Sequence, residues 1–190
     1  MAKGGEFERE IAKELSLWWT SGERDDVFWR TDGSGGRATN RSRQGKTTAN
    51  SYGDLTFIDP AGKPFIDQFL LELKRGYSNS ISILYTIDGR CKTYDLFAFW
   101  EQAERDRELA GRPWSVVIFR RDRLQTCAMI NKSLFNKISR WVGGYSETTY
   151  VEVVTVEGNR LVVLPFYKFI KWLNPETVKR WGNLETPEIA

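Results

Sequence analysis

The residues best suited to chemistry lie in two short stretches, Gly53-Asp54 and Glu72-Leu73-Lys74. Positions 54 and 72 centre on Lys63, inside Asp59-Pro60-Ala61-Gly62-Lys63-Pro64, a run of turn-forming residues. An antiparallel hairpin joining 52–58 to 65–74 would set Asp54 opposite Glu72 on neighbouring strands. Alternation along the second strand puts Glu72 and Lys74 on one face and Leu71 and Leu73 on the other. Two opposed carboxylates on an apolar sheet repel each other and lose hydration. A hard divalent cation relieves both costs, because it prefers carboxylate oxygens and keeps part of its water shell. Such an ion polarises a phosphate and activates water, and a neighbouring ammonium steadies the developing negative charge or positions that water. Lys74 suits that last role. The expected chemistry is phosphodiester hydrolysis with Mg2+, for which Mn2+ can substitute. A Glu-x-Lys triplet is common by chance; the apolar run that leads into it and the Gly-Asp at matching register set this one apart.

The composition narrows the alternatives. The chain contains no histidine, which excludes serine–histidine and cysteine–histidine hydrolases, histidine-liganded zinc enzymes and nucleases with a histidine base. Its only cysteines, Cys91 and Cys127, are far apart, so neither a disulfide framework nor a thiolate zinc site is indicated. No apolar signal region opens the chain and no run approaches the roughly 20 apolar residues of a membrane helix. A cytoplasmic protein without membrane contact is expected. With 190 residues, 41% of them hydrophobic, the chain can bury one full core. The net charge of +3 is too small to prove a polyanionic partner, so the distribution of basic residues matters more.

The elements that must position the carboxylates can be read from spacing. Phe7, Ile11, Leu15 and Trp18 make an amphipathic helix from Glu6 to about Trp19. Glu8 borders its packed stripe, whereas Glu6, Glu10 and Glu14 are expected to face solvent. Val27–Arg30 reads as a strand. Residues 33–53 carry Arg37, Arg41, Arg43 and Lys46 and no acidic residue, and they run directly into Asp54. Together with Arg30 these form an expected phosphate-contacting segment. A helix from Asp95 to about Leu109 and a buried strand at 114–120 follow. Beyond them a helix near 133–141, a hairpin of strands near 150–156 and 160–164 turning at Gly158-Asn159, and a helical segment over 166–173 are expected. The fold class is mixed α/β, one domain over 1–190, with an α-β-β-β-α-β core in 1–121 and a C-terminal α+β extension, 122–190, packed on it.

Gly4-Gly5-Glu6-Phe7-Glu8-Arg9, Arg30-Thr31-Asp32-Gly33-Ser34-Gly35, Gly53-Asp54 and Glu72-Leu73-Lys74 together resemble the PD-(D/E)XK nuclease superfamily, and within it the archaeal-type Holliday junction resolvases. The resemblance implies a restriction-endonuclease-like core, metal ligands at Glu8, Asp54 and Glu72, a catalytic Lys74, and Ser34 in a loop near the scissile phosphate. Gly53 stands where the superfamily name has proline, and the segment from Gly35 to Asn50 is longer than resolvases require. A DNA endonuclease is therefore expected, either junction-resolving or a phage or bacterial recombination or restriction-type enzyme. Cutting two strands symmetrically favours a homodimer. The competing reading is a non-catalytic DNA-binding module that uses the basic segment 33–53, with the acidic pair structural.

Overall fold

Apolar residues three and four apart form the first helix, α1 (Lys3–Trp19), which buries Phe7, Ile11, Ala12, Leu15 and Trp19. The computed structural model describes residues 3–31, 52–76, 84, 96–146, 149–155 and 157–184. The expected loop contacts Ser34, Arg37, Arg41, Arg43 and Lys46 lie outside these. The stripe of α1 ends on Trp19 rather than Trp18. Trp18 is half-buried and meets Phe65 edge-on at 5.4 Å.

Strand β1 (Phe28–Arg30) is held on α1 by a buried serine. Ser16 Oγ donates to Ala12 O (2.8 Å) and accepts from the amides of Val27 (3.1 Å) and Phe28 (2.9 Å). β1 pairs antiparallel with β2 (Leu55–Phe57), with Phe28 opposite Phe57 and Arg30 opposite Leu55.

The hairpin expected between 52–58 and 65–74 does not form. After β2 the chain makes a 3-10 turn (Pro60–Gly62), capped by the Asp59 side chain on Ala61 N, and then a short helix, α2 (Lys63–Gln68). Only Phe69–Arg75 is strand, β3. Two local features favour the helix. Pro64 sits in its first turn, where the missing N–H costs nothing, and Phe65, Ile66 and Phe69 are buried at helical rather than alternating spacing. At Gly62 a side chain would force its neighbours to shift, since a Cβ would lie 2.7 Å from the Phe28 ring and 2.8 Å from Val27.

β3 continues as the edge of a five-stranded sheet. Helix α3 (Leu96–Ala110) precedes β4 (Trp114–Arg120), which pairs parallel with β3, placing Glu72 beside Val117 and Lys74 beside Phe119. β5 (Cys127–Asn131), α4 (Lys132–Val142), β6 (Val151–Val154), β7 (Arg160–Pro165), α5 (Phe166–Leu173) and α6 (Pro175–Leu184) follow. The strand order is β3-β4-β5-β7-β6, so 122–190 supplies three of the five strands and extends the sheet itself. The β6–β7 hairpin forms as expected, and the fold is mixed α/β with the expected α-β-β-β-α-β order, α2 being an insertion into it.

Alternation along the strands divides the core. Leu71, Leu73, Val116 and Ile118 face the layer built by α1, α4, α5 and α6, whereas Leu70, Val117 and Phe119 face Leu96, Phe99, Trp100 and Ala103 of α3. Phe69, fully buried against Phe65 with ring centroids 4.9 Å apart, anchors the start of β3. Phe69→Ala is expected to destabilise the protein by about 3–5 kcal/mol, read as a lowered urea midpoint with an unchanged slope.

Glu10 does not simply face solvent as its helix position suggested. Its two carboxylate oxygens pair with both terminal nitrogens of Arg120, one at 2.6 Å, and this contact holds the Glu10 carboxyl below its usual pKa range. α1 is thereby tied to the end of β4, beside β3.

Candidate active site

Asp54 reaches β3 without a regular ladder between β2 and β3. Its amide donates to Leu71 O (2.8 Å), and its carboxylate Oδ2 accepts from Leu73 N (2.7 Å). The neighbourhood of 54 and 72 predicted from the hairpin is therefore present, although the chain reaches it through a helix. Thr31, itself buried, fixes the approach from the other side: its amide donates to Asp54 O (2.9 Å) and its hydroxyl to Gly53 O (2.9 Å). Gly53 has φ +77°, and a Cβ there would meet Leu71 O at 2.9 Å. Proline cannot adopt that φ, which explains why glycine stands at this position.

Glu72 and Lys74 share one face of β3, and Lys74 Nζ lies 2.6 Å from Glu72 Oε1. Both are sequestered: their side chains are 4% and 12% exposed, so this pair is far less screened than a surface salt bridge. The ammonium also sits over the Phe99 ring, 4.9 Å from its centroid. Helix α3 adds a partner that spacing did not single out. Gln102 Nε2 donates to Glu72 Oε1 (2.8 Å), and Lys74 Nζ donates to Gln102 Oε1 (3.1 Å). One turn further on α3, half-buried Asp106 adds negative charge that acts on Glu72.

Glu8 stands at the margin of this group. Arg30 Nε approaches its Oε2 at 3.1 Å, so the expected metal ligand Glu8 and the expected DNA contact Arg30 are paired with each other. Gly5 leaves room for this pair, since a Cβ there would lie 3.0 Å from the Arg30 guanidinium. Glu8 still acts electrostatically on both Asp54 and Glu72.

The electrostatics are those of an over-negative, poorly hydrated cluster. Burial first and the charge of Glu72 second push the Asp54 carboxyl up to about 8, against a smaller opposing pull from the Leu73 amide. Burial also raises Glu72, while Lys74 pulls it back down through charge and hydrogen bonding. Among the described residues no group of three carboxylate or thiolate ligands is arranged to hold a metal ion by itself. The pair Asp54–Glu72 nevertheless suits a hard dication, because magnesium is commonly held by one or two carboxylates, with waters and substrate phosphate completing its shell.

The model of the family described as "Phage putative PDDEXK endonuclease" matches residues 1–180 of the 190. The chain belongs to this family. The match runs past Lys74 through all three strands that 122–190 contributes, so this PDDEXK endonuclease family takes in the C-terminal half as well as the acidic cluster. No curated protein and no solved structure matches the chain. Among the described residues no helix is long and apolar enough to cross a membrane.

Proposed function

We propose that this endonuclease-family chain is a divalent-metal-dependent DNA endonuclease whose active site is Asp54, Glu72 and Lys74, with Glu8 as a third acidic ligand. The observation that carries the proposal is the convergence of the Asp54 carboxylate on Leu73 N and of Glu72 on Lys74, at the site end of β3. A bound magnesium ion would supply Lewis acidity towards a phosphate oxygen and a water of lowered pKa. Asp54 and Glu72 would orient that ion. Lys74 Nζ, fixed between Glu72 and Gln102, would meet negative charge as it develops on the phosphate. Glu8 would join the ligand set by exchanging its contact with Arg30, which would leave that guanidinium to a backbone phosphate.

Ser34 near the scissile phosphate and Arg37, Arg41, Arg43 and Lys46 along the flanking backbone belong to the same proposal. Their support is the charge pattern of 33–53, which has four basic and no acidic residues. Structure-selective cutting of branched DNA by a two-fold dimer is its most specific form, and rests on the resemblance of the four motifs to junction resolvases.

Supercoiled plasmid and a synthetic four-way junction are the test substrates, each with magnesium, manganese or EDTA. Wild type is expected to cut with either metal and not with EDTA, and Lys74→Ala to lose at least about 100-fold in rate. Faster cutting of the junction than of linear duplex would support the resolving form. A wild-type protein that binds DNA and never cuts it with either metal would overturn the proposal in favour of a binding module.

A further inference from the structure

Gln102 bridges the two residues of β3 on which the proposed chemistry depends, and nothing in its sequence context demanded this. Its amide uses both of its functions at once: Nε2 donates to Glu72 Oε1 at 2.8 Å and Oε1 accepts from Lys74 Nζ at 3.1 Å. Lys74 Nζ lies 2.6 Å from the same Glu72 oxygen, so the three groups close a ring. The orientation of the amide follows from its neighbours, because reversing it would turn a carbonyl oxygen on the carboxylate and an NH2 on the ammonium.

We propose that Gln102 is a positioning residue that holds the Glu72 carboxylate and the Lys74 ammonium in register for phosphodiester cleavage. The inference rests on the function proposed above. Glu72 and Lys74 are near neighbours on one strand face, and each side chain has several rotatable bonds. The Phe99 ring below Lys74 limits the ammonium in one direction, and the amide fixes it in another. Glu72 has a further need for the bridge. Were Glu72 to hold a dication, its carboxylate would share its charge between the ion and Lys74, and the Gln102 amide would keep both partners in place. The backbone supports this role, since α3 packs on the same face through buried Phe99 and Ala103, which flank Gln102. A side chain at 102 that lacks either the donor or the acceptor cannot bridge the pair. Glutamate would set a third carboxylate against Glu72, and leucine would leave both charged groups one partner short.

Gln102→Leu and Gln102→Glu are measured beside wild type for cleavage, for DNA affinity in calcium, and for manganese binding by calorimetry without DNA. Both variants are expected to lose about 10- to 100-fold in kcat, and Gln102→Leu to bind manganese more weakly, with KM and DNA affinity within about threefold of wild type. Wild-type kcat and manganese affinity in Gln102→Leu would overturn the inference. So would losses that only follow a lowered melting temperature, because these would mark a packing residue.

A thermal double-mutant cycle of Gln102→Leu with Lys74→Met tests the bridge apart from the chemistry. Departure from additivity by about 2 °C or more supports the bridge, and strict additivity overturns it. If wild type never cuts, the function proposed above has failed, and this cycle alone decides whether Gln102 couples the pair.

Discussion

Asp54→Asn is expected to abolish cleavage and, in metal-free buffer at pH 8, to melt at a higher temperature than wild type. The two effects have one cause. In the folded protein burial and the Glu72 charge raise the Asp54 carboxyl to about 8, with Glu8 adding to the rise and the Leu73 amide and Lys74 opposing it. In the unfolded chain the same group titrates near 4. The folded state therefore holds the Asp54 proton more tightly than the unfolded state does. Its contribution to stability is complete below about pH 4 and is lost as the pH rises through about 8. That loss is on the order of a few kcal/mol for the metal-free protein. Asparagine stays neutral throughout and keeps an oxygen for the Leu73 amide, so the variant should lose less stability than wild type between pH 5 and 8, the remaining decline coming from Glu72 and the other carboxyls that burial raises. Magnesium should restore wild type at pH 8 and leave the variant unmoved. A wild-type melting temperature that rises between pH 5 and 8 without metal would contradict this balance of charge and burial at Asp54.

Gly53→Pro, which would restore the residue after which the superfamily is named, is expected to be damaging. Gly53 has φ +77°, far from the value near −65° that a pyrrolidine ring enforces. Alanine is the informative companion, because it retains the amide but brings a Cβ to 2.9 Å from Leu71 O. Alanine should cost about 1–3 kcal/mol and proline about 3 kcal/mol or more. The larger consequence is catalytic. Residues 53 and 54 are suspended between Thr31 and Leu71, so a rotation at Gly53 swings the Asp54 carboxylate off Leu73 N. The proline variant should lose about 100-fold in cleavage rate even at temperatures where it remains folded. Circular dichroism melts run beside plasmid nicking separate the two losses; unimpaired cutting by the proline variant would show that Asp54 tolerates displacement.

Most of the element order could be read from the chain because period and punctuation agreed. α1, α3, β4 and the β6–β7 hairpin each follow from an unambiguous spacing of apolar residues. The segment 63–69 misled because Phe65, Ile66 and Phe69 satisfy a strand-like run and a helical stripe equally well over so short a span. Pro64 at the helix start was the cue that distinguished them. β5 and α6 went unanticipated: Cys127–Asn131 is short, and its partners β4 and β7 are distant in sequence.

Asp54 and Glu72 were expected to meet across a shared hairpin; backbone bonds from Asp54 to β3 bring them near each other instead. Gln102 was missed, yet the reasoning that placed Glu8 at the edge of a buried stripe applies to it equally. It follows Phe99 by three residues on a helix that packs against Lys74. Thr31 lay within a recognised motif, but only the fold shows it clasping the two carbonyls at Gly53 and Asp54.

The sheet order β3-β4-β5-β7-β6 bears on how this fold can vary. Among the described residues the strand that carries Glu72 and Lys74 has one laddered neighbour, β4, and the far side of β4 is occupied by β5 from the half of the chain without recognised motifs. That half is thus a mechanical foundation: it braces from behind the strand on which the reacting groups stand. Substitutions there, outside the acidic cluster of Asp54 and Glu72, have a direct route to the alignment of the site. A lineage altering its substrate would therefore find the motif-free half held to its architecture.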